Sequence, residues 1–185
     1  MDDLHRIYKL TGAAIGDYSM IRDGDSILVG VSGGKDSMLL LHVLSRLRAR
    51  APVRFTLHAA TFDPGFPGFG TEETARFCEN LGVPHHIIRL NVRKVIERTG
   101  SSNRPCILCS RLRRGHLYAL AKRLSCNKLA LGHHLDDILV SFLISCCRGG
   151  GLTTMGPNVP SDDGMIRVIR PFAYVEEKTT IRAAA

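Results

Sequence analysis

The sequence predicts an α/β protein built on an open, mostly parallel twisted sheet with helices on both faces. Short apolar segments rich in β-branched residues alternate with helical segments along the chain, the pattern of βαβ units. The first of those strands runs into a glycine loop, Ser32-Gly-Gly-Lys-Asp-Ser37, and then into a helix. A length of 185 residues suits one domain able to bury its own core.

Residues 4–20 read as a helix through Leu4, Ile7, Tyr8, Ala14 and Ile15, interrupted at Gly12. The β-branched run 26–31 is the first strand. A helix over 38–47 follows, because Met38, Leu41 and Leu44 recur at near-helical spacing. Residues 55–62 form a second strand, and 71–81 a helix with a threonine cap and early glutamates. Then come a strand at 86–90, a basic helix at 106–124, a strand at 128–131, an apolar helix at 135–147 and a strand at 166–169. Glycine and proline mark 62–70 and 149–164 as loops. A last helix starts near Tyr174 and is still running at Ala185. The reading is therefore a single domain over 1–185, with a short N-terminal helix, cut short at its C-terminus.

Twenty-five Lys and Arg against 17 Asp and Glu give a net charge of +8 and favour a polyanionic partner, nucleic acid or nucleotide. With 44% hydrophobic and 23% charged residues the chain is not a disordered segment. No apolar run approaches the roughly 20 residues of a membrane span. The N-terminus lacks a basic start followed by an apolar stretch, so neither membrane nor signal peptide is expected, and the location expected is cytoplasmic. In that setting six cysteines read as thiols or ligands rather than disulfides.

The glycine loop is the strongest chemical signal. Gly33 and Gly34 let backbone N–H groups approach a ligand, and the helix that follows adds its positive end, which suits phosphate oxygens. Ser32 and Ser37 add hydroxyls, Lys35 a point charge and Asp36 a carboxylate. It is not a Walker A loop, which would place glycine at Val29 and Ser or Thr at Asp36. Asp63 follows the second strand, and Gly132-His133-His134-Leu135-Asp136-Asp137 follows the fourth. In a parallel sheet all three stations lie at carboxyl ends of strands, where ligands bind. His133 and His134 suit phosphate contact, and Asp136 and Asp137 suit Mg²⁺. The same aspartates would equally favour the positive end of a helix, and Asp63 before Pro64-Gly65 would equally serve a turn.

Cys106 and Cys109 form a C-x-x-C where a loop enters the basic helix, a spacing at which two thiolates reach one metal. No second C-x-x-C exists to complete a zinc site. Cys146 and Cys147 are adjacent and poorly spaced for chelation, and Cys78 and Cys126 read as small buried hydrophobes. Ten basic residues (Arg93, Lys94, Arg98, Arg104, Arg111, Arg113, Arg114, Lys122, Arg123 and Lys128) against Glu97 favour RNA phosphate contact around this pair.

Ser32–Ser37 resembles the SGGKDS motif of the PP-loop ATP pyrophosphatases, the adenine nucleotide alpha hydrolase type of Rossmann-like fold. Further agreement runs through Leu4-His-Arg-Ile-Tyr-Lys9, Gly16-Asp-Tyr18, Cys106-x-x-Cys109-Ser-Arg-Leu-Arg-Arg-Gly115, Cys126 to Asp137 and Ile169-Arg-Pro-Phe-Ala-Tyr-Val175. Together these are similar to the tRNA 2-thiocytidine synthetase branch. The resemblance implies an ATP-dependent, AMP-forming tRNA sulfurtransferase that adenylates an anticodon-loop cytidine and replaces its 2-oxygen with sulfur. It implies ATP, held at Ser32, Gly33, Gly34, Lys35, Asp36, Ser37, Gly132, His133 and His134, and Mg²⁺ at Asp137. Lys35, Asp63 and Asp137 would be catalytic. It also implies a [4Fe-4S] cluster on Cys106 and Cys109, with tRNA contacting Arg111, Arg113 and Arg114. The partners implied are tRNA and a sulfur donor such as a cysteine desulfurase, and a homodimer stays open. The branch's third cluster cysteine would follow the Tyr-Val-x-Glu-Lys segment, beyond Ala185, and Val140 and Ser141 stand where the family usually has Glu-Thr. A lysidine synthetase-like ligase shares the loop and the His-Asp-Asp station without needing C-x-x-C. A catalytically silent nucleotide- or RNA-binding protein is the third reading.

Overall fold

The computed structural model describes residues 2–99, 105–149 and 151–184; Arg104 and Ala185 lie outside them, as do the side chains of Arg93 and Glu97. Six strands, β1 (Asp25–Gly30), β2 (Phe55–Asp63), β3 (His85–Arg89), β4 (Lys128–Ala130), β5 (Asn158–Pro160) and β6 (Arg167–Ile169), form one sheet in the order β3-β2-β1-β4-β6-β5. Every pairing is parallel except β5 with β6. Around it run α1 (Asp3–Asp17), α2 (Lys35–Arg48), α3 (Glu72–Asn80), α4 (Val92–Thr99), α5 (Pro105–Arg123), α6 (Leu135–Cys147) and α7 (Glu177–Ala184).

The two-residue alternation of β1 explains the layering. Ile27 and Val29 pack with Ile7, Leu40, Leu44 and Phe172 on one face, while Leu28 packs with Leu117, Leu120 and Leu129 on the other. Helices α1 and α2 thus cover one face and α5 the other, so both faces are buried, as a parallel sheet requires. Strand order reverses direction at β1, since β2 lies on one side of it and β4 on the other. The carboxyl ends of β1 and β4 therefore open onto the crevice where such sheets bind ligands.

Four features depart from the sequence reading. Helix α1 runs unbroken through Gly12, where a Cβ would meet nothing, so this glycine is a tolerated helical residue. Residues 158–160, read as loop, form the antiparallel edge strand β5, whose three residues are too few to show alternation. The final helix begins at Glu177 because 171–174 form a turn after Pro171. Helix α4, Val92–Thr99, forms where the sequence pattern predicts no element.

Candidate functional site

The crevice holds a cavity of about 400 Å³ between the α2 start, the ends of β1, β2 and β4, and one face of α5. Ser32, Gly34, Asp36 and Ser37 line it from the loop, and Gly132, His133, His134 and Asp137 from the second station. Helix α2 starts at Lys35 with no side chain capping it, so its first-turn N–H groups remain the donors an anion would take.

The loop braces itself. The Ser37 hydroxyl, nearly buried, donates to the Gly34 carbonyl at 2.9 Å and accepts from the Ser32 N–H at 3.0 Å. Gly33 turns the chain at φ +82°, a conformation L side chains rarely adopt. Gly132 brings the second station against the first. A Cβ there would sit 3.1 Å from the Asp36 carbonyl carbon and 3.2 Å from the Ser37 nitrogen, both backbone atoms.

The two aspartates of the second station separate into different roles. Asp137 accepts from the His134 N–H at 2.9 Å and closes the start of its own helix. Asp136 accepts from the Glu177 N–H at 2.7 Å, so it holds the start of α7 instead. Helix α7 in turn reaches the phosphate loop: the Thr180 hydroxyl donates to Asp36 at 2.6 Å, and Glu177 accepts from Lys35 at 3.2 Å. Lys35 also donates to Asp36 at 2.8 Å, and these carboxylates, Asp36 foremost, hold its pKa above the ordinary value. Lys35 is consequently not among the cavity-lining residues. Asp63 is not either; it accepts from the Gly65 N–H at 2.8 Å, as a turn residue does.

Glu177, Thr180, Phe69 and Arg170 went unremarked in the sequence as site residues. The Glu-Lys of the Tyr-Val-x-Glu-Lys segment was the one available signal for α7. Arg170 donates from Nε to His133 Nδ1 at 3.2 Å and from Nη1 to the Gly156 carbonyl. Burial first, and Arg170 next, push the His133 pKa below its ordinary value.

Asp36, His134 and Glu177 each offer one ligand atom, all within 4.8 Å of one another. His134 Nδ1 is buried without a hydrogen-bond partner. Two carboxylates beside an uncapped helix start suit a hard divalent cation such as Mg²⁺, and Asp137, expected from the sequence to hold it, lines the same cavity.

On α5, Arg113 and Leu117 line the cavity. Cys109 precedes Arg113 by four residues, hence by about 6 Å along the same helix face. Cys106 is exposed and Cys109 half-buried. Beside them a second cavity, about 680 Å³, is lined by Cys106, Ser110, Arg111, Arg114, Tyr118 and Asp162. Neither cysteine lines the crevice itself, Cys106 opening onto the neighbouring cavity, and among the described residues no third cysteine, histidine or carboxylate clusters with them. A cluster with three protein ligands is not completed by these residues. Cys78 and Cys126 are buried, and burial raises both thiol pKa values, that of Cys78 to about 11, which keeps them protonated and inert.

A parallel α/β sheet with a non-Walker glycine loop at its topological switch point defines a nucleotide-binding domain of the PP-loop class. The chain belongs to the PP-loop domain family, whose model matches residues 6–185. It is 49% identical over 175 residues to the tRNA-cytidine(32) 2-sulfurtransferase of Syntrophotalea carbinolica, covering 93% of this chain and 67% of that protein. To the tRNA-cytidine(32) 2-sulfurtransferase of Geobacter sulfurreducens it is 47% identical, covering 95% and 69%. Its fold matches the U34-tRNA thiolase NcsA from Methanococcus maripaludis, solved with its [4Fe-4S] cluster, at a TM-score of 0.76 and 20% identity, covering 97% of this chain and 61% of that one. The chain spans about two thirds of the length of these relatives.

Proposed function

We propose that this chain is the ATP-using part of a tRNA-cytidine 2-thiolating enzyme. The observation that carries the reading is the cavity itself: an uncapped helix start, the His133–His134 station and an arginine of the cysteine-bearing helix share one crevice. The identity to sulfurtransferases of two organisms supports cytidine as the substrate and sets the lysidine-ligase alternative behind it.

In this reading the α2 N–H groups and the Ser32 hydroxyl hold the β and γ phosphates of ATP. Magnesium, when bound by Asp36 and Glu177, supplies charge neutralisation for the phosphate oxygens. The cytidine 2-oxygen attacks the α phosphorus; the bond to pyrophosphate breaks and an adenylated base forms. A reduced sulfur from a donor then bonds to C2 and the C2–O bond breaks, releasing AMP. Lys35, released from Glu177, would neutralise the leaving pyrophosphate, an electrostatic contribution realised in the transition state. Arg111, Arg113 and Arg114, exposed along α5, would contact RNA phosphates. Cys106 and Cys109 would supply two cluster ligands, the third coming from outside these residues. No helix of the described residues is long and apolar enough to cross a membrane; a cytoplasmic site of action is proposed from the tRNA substrate alone.

The test is AMP release from ATP and tRNA by the full-length protein. Lys35→Ala should lower it by roughly a hundredfold or more while leaving thermal unfolding in place; AMP release at the wild-type rate would refute the role of Lys35.

A further inference from the structure

Arg170 and His133 meet in a contact whose chemistry is one-sided. A guanidinium carries five N–H donors and no acceptor, so the 3.2 Å contact from Arg170 Nε to His133 Nδ1 requires a lone pair on Nδ1. We propose that Arg170 is a positioning residue of the nucleotide site, fixing His133 as the tautomer with its proton on Nε2. Nδ1 is then occupied, and the neutral ring keeps a single N–H donor, on Nε2, for the cavity that His133 lines. A doubly protonated ring would set N–H against N–H at Arg170, and the other neutral tautomer would do the same.

Arg170 is itself fixed. Its Nη1 donates to the Gly156 carbonyl, and its own N–H donates to the Pro157 carbonyl at 2.8 Å. It directly follows β6, whose Ile169 carbonyl accepts from the Leu131 N–H at 3.0 Å, just before the His133 station. The backbone that carries the guanidinium and the backbone that carries the imidazole are therefore tied together one residue before Arg170 and two before His133. Arg170 would thus act on nucleotide only through His133. A neutral donor gives a directional bond to an oxygen acceptor, and it does not compete with the acidic cluster of Asp36 and Glu177 for its own proton.

This rests on the nucleotide reading for its ligand but not for its tautomer, and the two are measured separately. Full-length protein labelled with ¹⁵N-histidine, with His133 assigned by a His133→Gln comparison, is examined by long-range ¹H–¹⁵N correlation without ligand. An unprotonated Nδ1 and a protonated Nε2 are expected; a proton on Nδ1 would overturn the proposal. Adding ATP should shift the Nε2 resonance, and no shift while ATP binds would overturn the positioning role. Failure of ATP to bind the wild type would remove the nucleotide reading and the positioning role, while the tautomer would stand on its own result. Arg170→Met should let the Nε2-protonated pattern collapse to mixed tautomers and weaken ATP binding about tenfold. His133→Gln combined with it should add little further; additive losses from the two substitutions would show that Arg170 acts independently of His133.

Discussion

At the scale of single residues, the site depends on what is missing at Gly132 as much as on what is present elsewhere. The hydrogen in place of a Cβ lets the end of β4 lie against the first turn of α2, and the neighbours it would meet are backbone atoms unable to swing away. Gly132→Ala is expected to cost about 1–3 kcal/mol in urea unfolding and to weaken ATP binding, because the shift falls on the N–H groups proposed to hold phosphate. Gly12→Ala, in open space within α1, should instead stabilise by about 0.5–1 kcal/mol, so the pair separates local packing from general glycine replacement. The sequence showed why Ser32–Ser37 needs glycines, since a strand, a tight loop and a helix are contiguous. It could not show that Asp136 and Asp137 divide their work, because Asp136 is engaged by Glu177, 41 residues away. For the same reason Arg170 was invisible: its partner is His133, and only the pairing of β6 with β4 brings them together.

At the scale of elements, strand β3 carries a pH dependence. His85 shares a 2.8 Å hydrogen bond with the Thr61 hydroxyl, and His86 Nε2 lies 3.3 Å from His58 Nδ1. Burial is the largest influence on both and lowers their pKa values from 6.5, as it does for His42 and His133. Such a group binds fewer protons folded than unfolded, so its contribution is present above pH 6.5 and lost as pH falls through the folded value. Urea midpoints should therefore fall between about pH 6.5 and pH 5. His85→Gln with His86→Gln should roughly halve that slope, since two of the four lowered histidines are removed; an unchanged slope would place the effect elsewhere. Element boundaries were read well where a segment had its own period, as for α6, whose bounds match. They were missed where pairing alone creates the element, as for β5, whose Asn158–Pro160 exist as a strand only because β6 lies beside them.

For the whole molecule, the decisive fact is that one helix serves two cavities. Helix α5 lines the nucleotide crevice through Arg113 and Leu117, and the neighbouring basic cavity through Cys106, Arg111 and Arg114. An adenylated base formed at the first would lie within a few helical turns of a sulfur-carrying group at the second. That proximity is what thiolation needs and what a ligase using an amino acid does not. The chain supplies two thiols for that group and covers about two thirds of its relatives' length, so the test is made on the gene in its host. The most direct measurement is mass spectrometry of nucleosides from total tRNA of the host lacking this gene. The account predicts selective loss of 2-thiocytidine, restored by the intact gene and not by a Cys106→Ser copy. Unchanged 2-thiocytidine in the deletion strain, or full restoration by Cys106→Ser, would contradict it.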